Sequence, residues 1–387
     1  MKSFYLLFLI VNTVITTDFS SNYKTYEGYK VLEVVPSTTE QVRAIEGLRR
    51  DNEIDFWTLT RKPGLPTRFM LPPNKISRTT DYLKNYGIDI RIINHNVGIQ
   101  VARERQRLRS REASGMAFDL DDFNTYEDIS SGMANGAYWI DSLIHAREWL
   151  TGATILKIID HFITNYGTDQ EVTDLVNKYD WHFLPVINPD GYIYSWETDR
   201  YWRKSRNINE GSDCIGTDLN RNFDSHWSLD GTEPDPCSIN YHGTGPASEP
   251  EIEVMQNELL RLGPTLTGSV AMHTPAWMWL HSWGFTEDGS CARPIDYDTL
   301  LSIARETVHA IEDTYNSDWT YGTICDIFYP ASGTACDFCK EKASIVYSFT
   351  PELRGPDHYV DPSEIDPSFQ EIYNGLKTMI TEIEALP

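Results

Sequence analysis

WIDSLIHAREWL, residues 139–150, is an apolar run that ends on His145, Arg147 and Glu148 rather than on ordinary turn residues. An imidazole and a carboxylate three residues apart can grip a metal ion, but the spacing alone is a weak signal. His309 and Glu312 repeat it inside LLSIARETVHAIEDTYN (300–316). That stretch reads as an amphipathic helix, where a solvated i,i+3 pair is the better reading. His145 differs because it terminates a predicted buried strand, Tyr138–Ile144, and ligands of α/β sheets gather where strands end.

Two more runs end in the same way. TGSVAMH (267–273) is an apolar strand closing on His273, and SIVYSFTPELR (344–354) leads into Glu352 and Arg354. His145, Glu148 and His273 together offer two neutral nitrogens and one carboxylate. That is a usual catalytic zinc set, with a coordination position left for water. Glu352 cannot easily sit unpaired in an apolar setting, which makes it the natural base for that water.

The rest of the chain frames this site. It has 387 residues, 40% of them hydrophobic, enough for two or three compact units with a large core. A net charge of −24 argues against nucleic acid as a partner. Lys2, the apolar stretch Phe4–Val11 and the small polar residues Thr16, Thr17 and Ser20 read as an export signal over residues 1–17. The stretch is too short to span a bilayer, and no other segment forms a membrane anchor. Export permits disulfides. The six cysteines (214, 237, 291, 325, 336 and 339) allow 15 pairings, which spacing does not resolve.

Residues 18–96 form a separate small unit whose predicted order βαββαβ suggests an α+β, ferredoxin-like fold. A basic segment follows within residues 97–115, with arginines at 103, 105, 107, 109 and 111. Such a run is either a solvated helix face or a connector open to trypsin-like proteases; the connector is preferred. From about residue 116 to 387, strands alternate with helices, as in a mixed α/β sheet packed by helices on its faces.

The motifs place the chain more narrowly. HAREW (145–149), the distant His273 and Glu352, with NPDGY (188–192), YWRKSR (201–206), DLNRNF (218–223), YPASG (329–333) and SFTPELR (348–354), resemble the zinc carboxypeptidases of the pancreatic A/B type. The first unit is similar to that family's propeptide. The resemblance implies a secreted zymogen, activated by a trypsin-like protease, that removes C-terminal residues from peptides and proteins. His145, Glu148 and His273 would hold one Zn²⁺, and Glu352 would be general base, then general acid. Arg203 would stabilise the oxyanion on the scissile carbonyl. Asn220, Arg221, Tyr329 and Arg147 would bind the terminal carboxylate, and Asp218 would orient His145 from behind. The resemblance pairs Cys214 with Cys237 and Cys291 with Cys325, leaving Cys336 and Cys339 for each other. A monomer is expected.

Two departures stand out. Only eleven residues separate Tyr126 from Tyr138, where the family places a helix and two edge strands. A damaged sheet that only binds peptides is therefore the rival reading. Cys336 stands where A-type members carry an apolar residue and B-type members an aspartate. Cysteine behaves as a small hydrophobe, so aliphatic or aromatic C-terminal residues are expected, with Asp337 next door keeping a basic preference open. Pro275 replaces a family tyrosine, which points to altered subsites upstream of the scissile bond.

Overall fold

The computed structural model describes residues 5–6, 24–113 and 139–386. Tyr5–Leu6 form a short strand, β1; the rest of the expected export signal and the shortened stretch after Tyr126 lie outside the described residues. The first unit has the expected order: β2 (Lys30–Val34), α1 (Thr39–Gly47), β3 (Asp55–Thr58), β4 (Thr67–Leu71), α2 (Pro73–Asn85) and β5 (Ile90–Asn94). The strands pair antiparallel in the order β3-β4-β2-β5, which is the split βαβ arrangement. Thr38 caps α1 by accepting from the Gln41 N–H. The second helix starts at Pro73, where a proline suits the first turn of a helix.

One face of this small sheet packs on its helices through Leu32, Val34, Ile45, Phe69, Leu71 and Leu83. The other turns Val31, Trp57 and Met70 towards Tyr201 of the larger unit. The basic segment is no open linker. It is a continuous helix, α3 (Val97–Ala113). Val97, Val101, Glu104 and Leu108 lie on one buried face, while Arg103 is exposed and Arg105 and Arg107 are half-buried. The spacing of four, three and four residues is that of a helix stripe, and it docks the segment instead of freeing it.

The larger unit holds β6 (Ile140–Asp141), α4 (Trp149–Asn165), α5 (Gln170–Lys178), β7 (His182–Leu184), α6 (Pro189–Glu197), α7 (Pro250–Leu262), β8 (Gly268–Ala271) and β9 (Met278–His281). The short pair β10 (Thr286–Glu287) and β11 (Ser290–Cys291) precedes α8 (Tyr297–Tyr315), β12 (Thr320–Thr323), α9 (Ala335–Glu341), β13 (Tyr347–Glu352) and α10 (Ile365–Glu384). Among the described residues the sheet has seven strands, ordered β1-β7-β6-β8-β13-β9-β12. All neighbours are parallel except β13 and β9, so the sheet is mixed. α4, α8 and α10 cover one face with a core that includes Trp149, Ile158, Ile303, Phe369 and Ile372. α7 and α9 cover the other through Ile252, Leu259, Phe338 and Cys339. β7 is flanked by β1, whose Tyr5 and Leu6 align with His182 and Phe183.

Cys214–Cys237 and Cys291–Cys325 are disulfides. Cys336 and Cys339 are not: both are free and buried, which corrects the expected pairing. They stand three apart on α9 but serve different packings. Cys336 faces Leu280, Ile324 and Phe328, whereas Cys339 packs with Leu184, Ala271 and Ile345 under the sheet.

Candidate active site

The site lies where β6, β8 and β13 end. After β6 the chain turns through His145–Glu148 into α4, whose first residue is Trp149. β8 delivers His273, held to the end of β13 by His273 N–H donating to Pro351 O (2.9 Å) and Leu353 N–H donating to His273 O (2.7 Å). This pairing sets His273 beside Glu352. His309 is elsewhere, exposed on α8 beside Glu306.

The three expected ligands converge. His145 Nδ1 is 2.7 Å from Glu148 Oε1, His273 Nδ1 is 3.1 Å from Glu148 Oε2, and the two Nδ1 atoms are 3.1 Å apart. All three side chains are buried, and one donor atom from each lies within 4.8 Å of the others. Two imidazoles and a carboxylate at this separation, closed off from solvent, fit a zinc ion by donor type and by number. Burial alone would raise the Glu148 carboxyl, but His145 and His273 outweigh it and hold it well below the usual range.

Asp218 backs this cluster. Its Oδ1 lies 3.1 Å from His145 Nε2 and accepts from the Asn220 N–H at 3.0 Å. Its Oδ2 takes two bonds from Arg203, Nε at 3.1 Å and a terminal nitrogen at 2.8 Å. Burial opposes the ionised form of Asp218, yet Arg203, Arg221 and His145 keep it well below the usual carboxylate range. Arg203 also reaches to 3.2 Å from His145 Nδ1, so the fixed cation sits at the edge of the ligand cluster. Asn220 tethers His273 through a 3.2 Å contact to Nε2 and accepts from the Ala335 N–H at 2.9 Å. The Asn220 tether is absent from the sequence reading, since no local pattern connects residues 53 apart.

Arg221 donates to Tyr329 Oη (3.2 Å), to Gly231 O (3.0 Å) and to Asn220 O (2.7 Å). Gly333 permits this approach: its φ is +69°, and a Cβ there would come within 2.4 Å of Arg221 O. Leu280, Ile324, Phe328, Ala331, Thr334 and Thr350 wall the same end of the cleft, with the Cys336 thiol in the apolar cluster behind. Glu352 lines the cleft, and burial pushes its carboxyl up to about 8. Asp337 is fully buried and accepts from the Gly284 N–H at 2.9 and 3.2 Å.

The small unit covers this cleft. Ile54, Phe56, Trp57 and Leu59 line it, and Asp55 reaches Arg147 at 2.6 Å. Deeper in the interface Glu104 pairs with Arg200, Tyr26 donates to Asp199, and Trp57 stacks on Tyr201.

Comparison with known proteins agrees with this geometry. Residues 112–375 match the family model described as zinc carboxypeptidase, and residues 32–104 match that of the carboxypeptidase activation peptide. Carboxypeptidase A2 of Rattus norvegicus is 31% identical over 94% of this chain and 96% of its own length. Carboxypeptidase B of Bos taurus is 28% identical over 96% and 97%. The crystal structure of carboxypeptidase A from Helicoverpa armigera superposes with a TM-score of 0.82 at 26% identity, covering 93% of this chain and 98% of that one. Thrombin activatable fibrinolysis inhibitor gives 0.79 at 27%, covering 93% and 100%. With its ligand cluster covered by an activation domain, this chain belongs to the zinc carboxypeptidase family and is a metallocarboxypeptidase zymogen.

Proposed function

We propose that the protein is a secreted exopeptidase precursor whose mature form hydrolyses the last peptide bond of a chain, with A-like preference for aliphatic or aromatic C-terminal residues. The observation that carries this is the convergence of His145, Glu148 and His273 beside Glu352 in a cleft that the activation domain covers. Among the described residues no helix is long and apolar enough to cross a membrane.

His145, Glu148 and His273 would hold zinc, and when bound it supplies Lewis acidity towards water and the scissile carbonyl. Glu352 accepts the proton of the attacking water and delivers it to the departing amine. Its raised carboxyl fits a group that must hold and release a proton near neutral pH. Arg203, oriented by Asp218, places a guanidinium where negative charge develops on the carbonyl oxygen. Asn220, Arg221 and Tyr329 receive the terminal carboxylate, for which a planar guanidinium is suited.

Leu280, Ile324, Phe328 and Cys336 form one apolar cluster at the pocket, which supports the A-like preference. Cys336 packs directly behind the lining residues of that cluster, whereas the Asp337 carboxylate is turned to the Gly284 N–H. Cutting within Arg103–Arg111 by a trypsin-like protease would release the covering unit, and Arg103 is exposed there. The rival, a peptide binder without activity, is not favoured, because a binder has no need of Glu352.

The test uses trypsin-treated zymogen with N-blocked dipeptides ending in Phe or Leu, or in Lys or Arg. Chelator-sensitive release of Phe and Leu is expected. Failure of folded, zinc-loaded, cut protein to release any residue would overturn the reading.

A further inference from the structure

The two units carry opposite charge. Residues 24–113 hold 17 lysines and arginines against 11 acidic residues, a net +6, whereas residues 139–386 hold 15 against 40, a net −25. Several of the larger unit's cations are turned inward. Arg147, Arg203 and Arg221 are buried in the cleft, and buried Arg200 donates to Arg147 O from behind. Acidic residues stand at the mouth instead. Arg221 bonds Gly231 O, and beside it Asp230, Glu233 and Asp235 are exposed. The Thr286 hydroxyl joins Asp230 to a second turn, where Glu287 and Asp288 are exposed too. Without its activation domain the unit is a negative shell around a cationic cleft.

The domain that covers the cleft carries the complementary pattern. It sends acids inward, Asp55 to Arg147 and Glu104 to Arg200. Its cations meet the rim, with Lys24 at 3.5 Å from Asp199 and Arg61 close enough to feel the Asp230 charge. A carboxylate for the interior and a cationic body for the shell describe the ligand that this distribution holds. Any substrate of an exopeptidase brings the carboxylate at its C-terminus, so the cationic body is the selective part. A charge of this size sets up a potential of several kT over the surface, focused by low-dielectric cleft walls. It reaches about 30 Å at about 0.01 M ionic strength and about 8 Å at physiological salt, so it acts on substrate residues that lie outside the cleft.

We propose that the mature enzyme is steered towards cationic peptides, those with Lys or Arg beyond the cleft and an apolar residue at the C-terminus. This rests on the peptidase reading above and names its substrate class. No pocket receives the basic side chains; the field of the acidic shell concentrates them at the mouth.

The test measures release of Phe by the cut enzyme, once the activating trypsin has been removed and its traces inhibited. Three acetylated decapeptides share the C-terminal sequence Gly-Ala-Ala-Phe, preceded by six residues in which Ser alternates with Lys, Gln or Glu. At about 0.01 M ionic strength kcat/KM should fall in the order Lys, Gln, Glu, with Lys above Glu by about tenfold, the low end for electrostatic steering. The difference should lie in KM, with kcat common to all three, because the charges are remote from the reacting bond. In about 0.5 M salt the three should converge to within about twofold, since the field is then screened within a few ångströms. Equal kcat/KM at low salt would overturn the steering alone, as would a gap that persists undiminished at high salt, the mark of a direct contact. Failure to release Phe from any of the three would overturn the peptidase reading with it.

Discussion

Asp218 Oδ1 lies 3.1 Å from His145 Nε2, so the imidazole is held from behind while its Nδ1 faces Glu148 and His273. A carboxylate in this position fixes both the ring and its tautomer. Its other oxygen binds Arg203 twice, which makes one buried residue responsible for a ligand and for a cation.

Replacing that carboxylate leaves Arg203 buried and uncompensated. Asp218→Asn should therefore cost about 3–5 kcal/mol, the usual range for breaking a buried pair, as read from urea unfolding of the zymogen at pH 7. An unfolding curve that matches the wild type would show that the pair is not the anchor described.

The same group sets a pH dependence. Asp218 is depressed on folding, so its contribution is fully present above the unfolded value of about 4 and is lost as pH falls through the folded value. The zymogen should lose stability on acidification from about pH 4 downward, with D218N showing a shallower loss. Calorimetric midpoints across that interval check the sign. A stability that rises on acidification would contradict it.

Much of this site was legible before the fold. His145, Glu148, His273 and Glu352 each end or follow a strand-like run, and residues at strand ends are brought together by the sheet. The elements that escaped reading did so for physical reasons. β9, Met278–His281, is buried on both faces and carries no polar alternation; β12 has Gly322 at its third position, which weakens a strand signal. The α9 cysteines misled because the resemblance left them only each other to pair with, whereas their side chains belong to two separate cores. The contact of Asp55 with Arg147 joins residues 92 apart in sequence and has no local signature.

The free cysteines give a direct chemical check. Burial pushes the Cys336 thiol up to about 11 and raises Cys339 as well. Neither should alkylate in the native protein at pH 8, and both should label after unfolding without reductant. A protein that labels at neither position until reduced would restore the disulfide.

The pocket floor predicts a change of preference. Cys336→Asp would put a carboxylate into the cluster of Leu280, Ile324 and Phe328, where it favours a cationic partner over remaining unpaired. Release of C-terminal Lys or Arg should rise and that of Phe should fall by at least about tenfold, as expected when a buried charge meets an apolar side chain. An unchanged Phe-to-Lys ratio would mean that Cys336 does not set the preference.

Glu352→Gln keeps the shape of the site and removes the base. Its kcat should drop by about 10²–10⁴, the range for general acid–base catalysis, with zinc content unchanged. Activity within a factor of a few of wild type would assign proton transfer to another group.

The most direct test of the whole account is zinc content measured by mass spectrometry on the cut protein, wild type beside His273→Ala. The account predicts a single zinc per chain in the wild type, and in the variant its loss together with C-terminal release. Wild-type protein that folds and purifies without zinc, or a variant that keeps its full complement, would contradict it.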